Sequence, residues 1–214
     1  INKGVVPILI NSDLEESLIR DIIEKYNPSY IFIPITNQNY NFKYAKFLTY
    51  NSFSVLKARN SFETELDSEL AILLSSSGST GSPKLIRISY KNLLSNAISI
   101  SNYLNLNSDE IAITNLPMNY SYGLSIINSH LYVGAKIVVT EKSVIQRDFW
   151  ELVKINNVTS LSGVPYTYEI LKKLRFFKMG LSSIRCMTQA GGKLSNSIIE
   201  EFANHCINKN IDFF

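Results

Sequence analysis

The sequence lacks any apolar run approaching the roughly 20 residues of a membrane-spanning helix. Nor does it open with the charged, apolar and small-residue succession of a secretory leader. A membrane span is therefore not expected, and the expected location is the cytoplasm. Cysteine is scarce: Cys186 and Cys206 are too few to staple 214 residues, and they have no metal-ligand spacing with each other or with His130 and His205. Both thiols are expected reduced, as small hydrophobes of an intracellular core, and no metal site is expected. Charge of one sign is also lacking. Lys and Arg number 21 against 18 Asp and Glu, and the net charge of +3 is too slight for a nucleic-acid-binding surface. What remains is globular material: 45% apolar and 18% charged residues exclude a disordered or collagen-like chain. A chain of this length buries about 70% of its unfolded surface.

Apolar runs alternate with amphipathic stretches along most of the chain. Gly4-Val5-Val6-Pro7-Ile8-Leu9-Ile10 reads as a buried strand closed by Asn11-Ser12-Asp13. Leu14, Leu18, Ile22 and Tyr26, widened by Ile19 and Ile23, then mark a helix that Asp13 and Glu16 can cap and Asn27-Pro28 ends. Tyr30-Ile31-Phe32-Ile33 completes one strand-helix-strand unit. From 34 to 68 the period weakens, leaving loops and a short hairpin around 47–56. The alternation resumes with strand 70–75, a glycine-rich turn 76–84, helix 90–104, strand 111–115, helix 123–132 and strand 136–140. It continues with helix 147–156, strand 158–162, helix 166–177, strand 183–188, helix 196–209 and a strand at 211–214. Leu70-Ala71-Ile72-Leu73-Leu74 and Ile137-Val138-Val139 suit strands buried on both faces, so the expected fold class is α/β, with mostly parallel sheets covered by helices. In the last helix Ile198, Phe202 and Cys206 share a face, and Ser197 with Glu200 offers a capping box. No internal repeat and no domain boundary is visible.

The most informative stretch is Ser75-Ser76-Ser77-Gly78-Ser79-Thr80-Gly81-Ser82-Pro83-Lys84, expected between a strand and a helix. Gly78 and Gly81 let backbone N–H groups converge on an anion, the hydroxyls add neutral donors and Lys84 brings positive charge, a chemistry suited to polyphosphate. It matches neither a Walker loop nor the G-x-G-x-x-G of dinucleotide folds. On composition alone a flexible Ser/Gly linker is the competing reading.

Residues 76–84 resemble the phosphate-loop signature of the adenylate-forming enzymes, the superfamily of acyl-CoA synthetases, peptide-synthetase adenylation domains and luciferases. Leu85 stands where that family commonly has glycine. Four further stretches are similar to family segments in the family's order: Asn2-Lys3-Gly4-Val5-Val6-Pro7-Ile8, Leu116-Pro117-Met118-Asn119-Tyr120-Ser121-Tyr122-Gly123, Gly163-Val164-Pro165-Tyr166 and Gln189-Ala190-Gly191-Gly192-Lys193-Leu194. Each alone is weak; their shared order carries the resemblance.

The resemblance implies that a carboxylate attacks the α-phosphorus of ATP, pyrophosphate leaves, and the acyl-adenylate passes to coenzyme A or to the phosphopantetheine of an acyl carrier protein. By resemblance, Ser76, Ser77, Gly78, Ser79, Thr80, Gly81 and Lys84 bind the phosphates, with Thr80 and Lys84 serving the departing pyrophosphate. Ala190, Gly191 and Gly192 would border the adenine ring, although a plain strand-to-helix turn also accounts for them. Tyr120 replaces the histidine of the family's Leu-Pro-x-x-His-x-x-Gly segment, and Tyr120 with Gly123 would face the carboxylic acid. Tyr120 reads equally as an aromatic core residue. Ser121 follows it where amino-acid-activating relatives carry aspartate, which favours an acyl chain over an amino acid. His130 and His205 receive no role.

The chain begins at Ile1 and ends at Phe214, before the family's Tyr-Gly-x-Thr-Glu segment, the ribose-binding aspartate and the C-terminal lysine domain. Residues 1–214 are thus expected to be part of an AMP-binding N-terminal domain, with the small C-terminal domain absent and the Mg2+ ligands further downstream. The piece alone is expected to be inactive and its parent active. The alternative is a non-catalytic phosphate-binding or interaction module that keeps the scaffold.

Overall fold

A computed structural model describes residues 4–11, 14–35, 43–60, 65–75 and 84–214. The chain divides into two compact units, 1–10 with 69–76 and 84–214, and 11–68 with 77–83. The first unit holds two sheets. In one, β1 (Ile8–Leu9) runs parallel to β5 (Leu70–Ser75), which pairs antiparallel with β6 (Leu85–Ser89). The other is entirely parallel, with strands β7 (Ile111–Ile113), β8 (Lys136–Val138), β9 (Ser160–Gly163), β10 (Cys186–Gln189) and β11 (Asp212–Phe213) in the spatial order β11-β10-β9-β7-β8.

Among the described residues, five α-helices belong to this unit: α2 (Tyr90–Tyr103), α3 (Ser121–Tyr132), α4 (Arg147–Ile155), α5 (Pro165–Lys173) and α6 (Asn196–Lys209). The main core draws Phe149 and Val153 from α4, Tyr168 and Leu171 from α5 and Phe202 from α6 onto Leu161 and Met187 of the parallel sheet. Helix α3 lies outside that cluster. It contacts α2, and its Leu124 packs with Ile72 and Leu74 of β5, so α2 and α3 form a helical layer that joins the two sheets. Such two-sided cover is why β9 is buried at every residue and why continuous apolar runs were readable as strands. Burial pushes the Cys186 thiol up to about 12 and the Cys206 thiol up to about 11, as befits core hydrophobes.

In the second unit, α1 (Glu16–Tyr26) accompanies an antiparallel sheet of order β2-β4-β3, formed by β2 (Tyr30–Pro34), β3 (Tyr44–Tyr50) and β4 (Phe53–Ala58). Tyr44, Leu56 and Ala58 are its core, with Ile23 and Ile31 against them. The hairpin expected around 47–56 is present, turning at Asn51, whose φ of 51° asparagine tolerates.

The structure corrects several expectations. β1 and β2 are not sheet partners: β1 pairs with β5 and β2 with β4, so the first strand, helix and second strand do not form one βαβ unit. The glycine-rich stretch does not run from strand into helix. Leu85-Ile86-Arg87-Ile88-Ser89 continues as β6, with Ser75 opposite Leu85, so the stretch links two antiparallel strands. The helix that follows takes its capping box from Ser89 and Asn92, whose side chains each accept from the other's backbone N–H at 3.1 Å. The box expected at Ser197 is absent, because α6 starts at Asn196 with Ser195 as the cap residue and no side-chain cap bond. Helix α1 is preceded by Glu15, and Asp13, expected to cap it, lies outside the described residues.

Candidate active site at the switch point of the parallel sheet

The order β8-β7-β9-β10-β11 contains one reversal. From β7 the chain crosses to β8 on one side, then returns through α4 to lay β9 on the other side of β7, and continues outward through β10 and β11. The crevice beyond the carboxyl ends of β7 and β9 is therefore the topological switch point, where open parallel sheets bind ligands. Three segments leave the sheet there: 114–120 after β7, Val164-Pro165 after β9, and 190–194 after β10.

These segments are joined to one another. The Asn115 amide Nδ2 donates to the Ser162 carbonyl at 2.6 Å, across the reversal itself. The Tyr122 hydroxyl of α3 reaches Thr188 Oγ1 at 2.7 Å, and Thr188 Oγ1 donates to Ser162 Oγ at 2.8 Å. Because Thr188 has one hydroxyl proton and gives it to Ser162, Tyr122 is the donor in its own bond. Tyr168 donates to the Thr188 carbonyl at 2.8 Å from the next helix. Burial raises the Tyr122 phenol above its ordinary value, with the neighbouring Thr188 and Ser162 hydroxyls and the Gly163 backbone opposing the rise.

The loop after β10 is an exposed backbone surface. Gly191 has φ +82°, and a Cβ there would lie 2.3 Å from Tyr120 Oη and 3.2 Å from Val164 Cγ1. Gly192 lies against Pro165, with 3.1 Å between its ideal Cβ position and Pro165 Cγ. Gln189 Nε2 donates to the Gly192 carbonyl at 3.0 Å and closes the loop on itself, while the Ala190 N–H donates to the Gly163 carbonyl. Tyr120 thus stands over Gly191, its ring 6.4 Å from that of Tyr122 in an edge-to-face pair. Gly123 is buried in its own turn: a Cβ would lie 2.3 Å from the Pro117 carbonyl oxygen.

A family model described as "AMP-binding enzyme" matches residues 2–212. The chain belongs to the AMP-binding enzyme family. Similar curated proteins are 2-succinylbenzoate–CoA ligases of Bacillus cereus, 25% identical, and Bacillus anthracis, 24% identical, each over 99% of this chain. The chain spans about 43% of the length of the first of these. Among solved structures, the o-succinylbenzoate coenzyme A synthetase of Bacillus subtilis in complex with AMP superposes with a TM-score of 0.73 at 19% identity, covering 98% of this chain and 53% of that one. A double mutant of the same synthetase bound to a product analogue gives a TM-score of 0.75 over 98% of this chain and 43% of that one. The α/β fold of this family member is therefore that of the adenylate-forming enzymes.

The structure brings together part of the site read from sequence. Tyr120 and Gly191 are in contact, with Ala190 and Gly192 beside them. Ser76, Ser77, Gly78, Ser79, Thr80 and Gly81 lie outside the described residues. Lys84 is exposed at the head of β6, in the other sheet of the same unit. Asn115, Tyr122, Ser162 and Thr188 carry no individual signal in the sequence, since their meeting joins residues 26, 47 and 66 positions apart and each alone is an ordinary polar residue. The one sequence signal was that Tyr122 lies inside the segment similar to Leu-Pro-x-x-His-x-x-Gly. His130 is buried on α3 and donates from Nδ1 to the Ile126 carbonyl at 2.8 Å, and His205 stacks on Phe177 at 4.4 Å. Among the described residues no helix is long and apolar enough to cross a membrane.

Proposed function

We propose that the chain is part of the N-terminal domain of an ATP-dependent acid–thiol ligase whose small C-terminal domain lies outside it. In the first half-reaction a carboxylate oxygen bonds to the α-phosphorus of ATP as the bond to the pyrophosphate oxygen breaks, giving an acyl-adenylate. In the second, a thiol of coenzyme A or of a carrier protein's phosphopantetheine takes the acyl carbon, and AMP departs. The observation that carries this reading is the convergence of segments 116–123, 163–165 and 189–192 at the switch point, in a chain that belongs to the AMP-binding enzyme family.

The residues fit a nucleotide. Ala190, Gly191 and Gly192 are exposed and carry no side chain larger than a methyl group, so a flat ring could lie against their backbone on the side away from Tyr120 and Pro165. Ser76, Ser77, Gly78, Ser79, Thr80, Gly81 and Lys84 would hold the triphosphate, with Thr80 and Lys84 nearest the leaving pyrophosphate. One oriented donor lost from such a set costs about 3 kcal/mol of transition-state stabilisation. Tyr120 would wall the acid subsite beside the adenine, and Gly123 would let that wall approach by keeping its turn tight. Mg2+ would neutralise the phosphates from ligands outside residues 1–214.

Acid-dependent exchange of labelled pyrophosphate into ATP tests the reading on the full-length protein and on residues 1–214. The first acid to try is 2-succinylbenzoate, named in the relatives, followed by medium and long acyl chains. Exchange is expected from the full-length protein and negligible exchange from 1–214. No exchange from the full-length protein with any acid, despite bound ATP, leaves the non-catalytic module.

A further inference from the structure

The Tyr122, Thr188 and Ser162 hydroxyls form a directed chain across three elements, α3, β10 and β9, at the carboxyl edge of the sheet. Ser162 and Thr188 are buried, 3% and 7% exposed, so these hydroxyls have exchanged water for one another and breaking one link strands its neighbour. Thr188 is also the last buried residue before the exposed glycine loop, and its carbonyl accepts from Tyr168. The root of the loop is therefore held from both sides, by its side chain from α3 and by its carbonyl from α5. Beyond the root, the loop is held by the Gln189 N–H on the Phe214 carbonyl, the longer bond from the Ala190 N–H to the Gly163 carbonyl, the Gln189 side-chain closure, the packing of its glycines against Tyr120, Val164 and Pro165, and the buried Leu194 at its end. At the far side of the chain, Asn115 fixes Ser162 through its carbonyl, while Asn115 Oδ1 is buried without a partner among the described residues.

We infer that Tyr122 is a positioning residue: through Thr188 and Ser162 it fixes the distance between the 116–120 segment and the 189–192 loop, and so holds the adenine-facing backbone against the acid-facing Tyr120. The Tyr122 hydroxyl sets where Gly191 stands relative to Tyr120, the two being in contact. The kinetic consequence rests on the ligase reading; the mechanical one does not. A purely structural tyrosine would affect global stability alone, whereas a brace at the loop root affects the loop first.

Amide hydrogen exchange of the full-length protein decides the mechanical part. Tyr122→Phe is expected to speed exchange of the amides of 190–193 by about 10-fold, the equivalent of one buried hydrogen bond, with α6 unchanged. Thr188→Val should do the same, Thr188→Ser should restore the wild-type rate by returning the hydroxyl, and Tyr122→Phe combined with Thr188→Val should add nothing further, since the chain breaks once. In pyrophosphate exchange, Tyr122→Phe should raise the KM for ATP by about 10-fold with a smaller change in the KM for the acid. Unaltered loop exchange in both Tyr122→Phe and Thr188→Val, or Thr188→Ser behaving as Thr188→Val, overturns the brace. Wild-type protein that lacks pyrophosphate exchange yet shows the loop effect overturns the ligase reading and leaves the brace standing.

Discussion

Gly191 concentrates the site's demands in one residue. Its φ of +82° is one that side chains rarely adopt, and the volume its Cβ would fill is occupied by the Tyr120 hydroxyl. Gly191→Ala meets two penalties: roughly 1–2 kcal/mol for a left-handed alanine, and displacement of Tyr120. Urea unfolding is expected to register the first, and an ATP titration a larger loss from the second. On a Tyr120→Phe background the affinity loss should shrink, because the hydroxyl is gone, while the stability loss should persist, because the backbone strain is not relieved. An equal affinity loss in both backgrounds refutes the contact as its cause. The glycine pair 191–192 was legible in the sequence because backbone exposure leaves a compositional trace. The partner that makes glycine necessary was legible only as a tyrosine in a familiar segment, with no hint that its hydroxyl reaches a loop some 70 residues away.

At the scale of elements, the opposite edge of the parallel sheet has its own fastening. Glu110, which immediately precedes β7, is 7% exposed and accepts from Thr159 just before β9, and it pairs at 3.1 Å with Arg185 just before β10. The Arg185 guanidinium also donates to the Asp109 carbonyl, so three strand starts share one polar knot. Glu110→Ala leaves the buried Thr159 hydroxyl proton with only its long 3.4 Å bond to the Ile111 carbonyl. The expected cost is about 1–3 kcal/mol, moderated because Arg185 is half exposed and regains water. Denaturant unfolding checks this, and a cost indistinguishable from that of Arg185→Ala alone would show that Thr159 is satisfied elsewhere. Strands such as β5 and β9 were readable because burial on both faces leaves unbroken apolar or small residues. Pairing was not, because it depends on partners far along the chain: Ile8 meets Leu73, and Tyr30 meets Lys57. Strand β6 escaped for a local reason, since its five residues follow directly on a loop and lead directly into a helix, with no turn residue to separate them.

The whole molecule responds to pH through buried imidazole. His130 is 1% exposed, and burial holds its pKa below the ordinary 6.5, only partly offset by the Ile126 carbonyl and the charge of Glu110. The unfolded chain therefore takes up a proton that the folded chain refuses. Its contribution to stability is complete above about pH 6.5 and is lost as pH falls from there through the depressed folded value. His205, lowered by burial and by Lys209, acts with the same sign. The unfolding midpoint is expected to drop between about pH 7 and about pH 5, and the drop should be shallower in His130→Gln; an equally steep drop in that variant assigns the effect to other groups. The polar knot that ties the strands at their starts and the loops that leave them at their far ends share no residue, so segments 116–123 and 189–192 can change in sequence while the anchorage of the sheet is inherited intact.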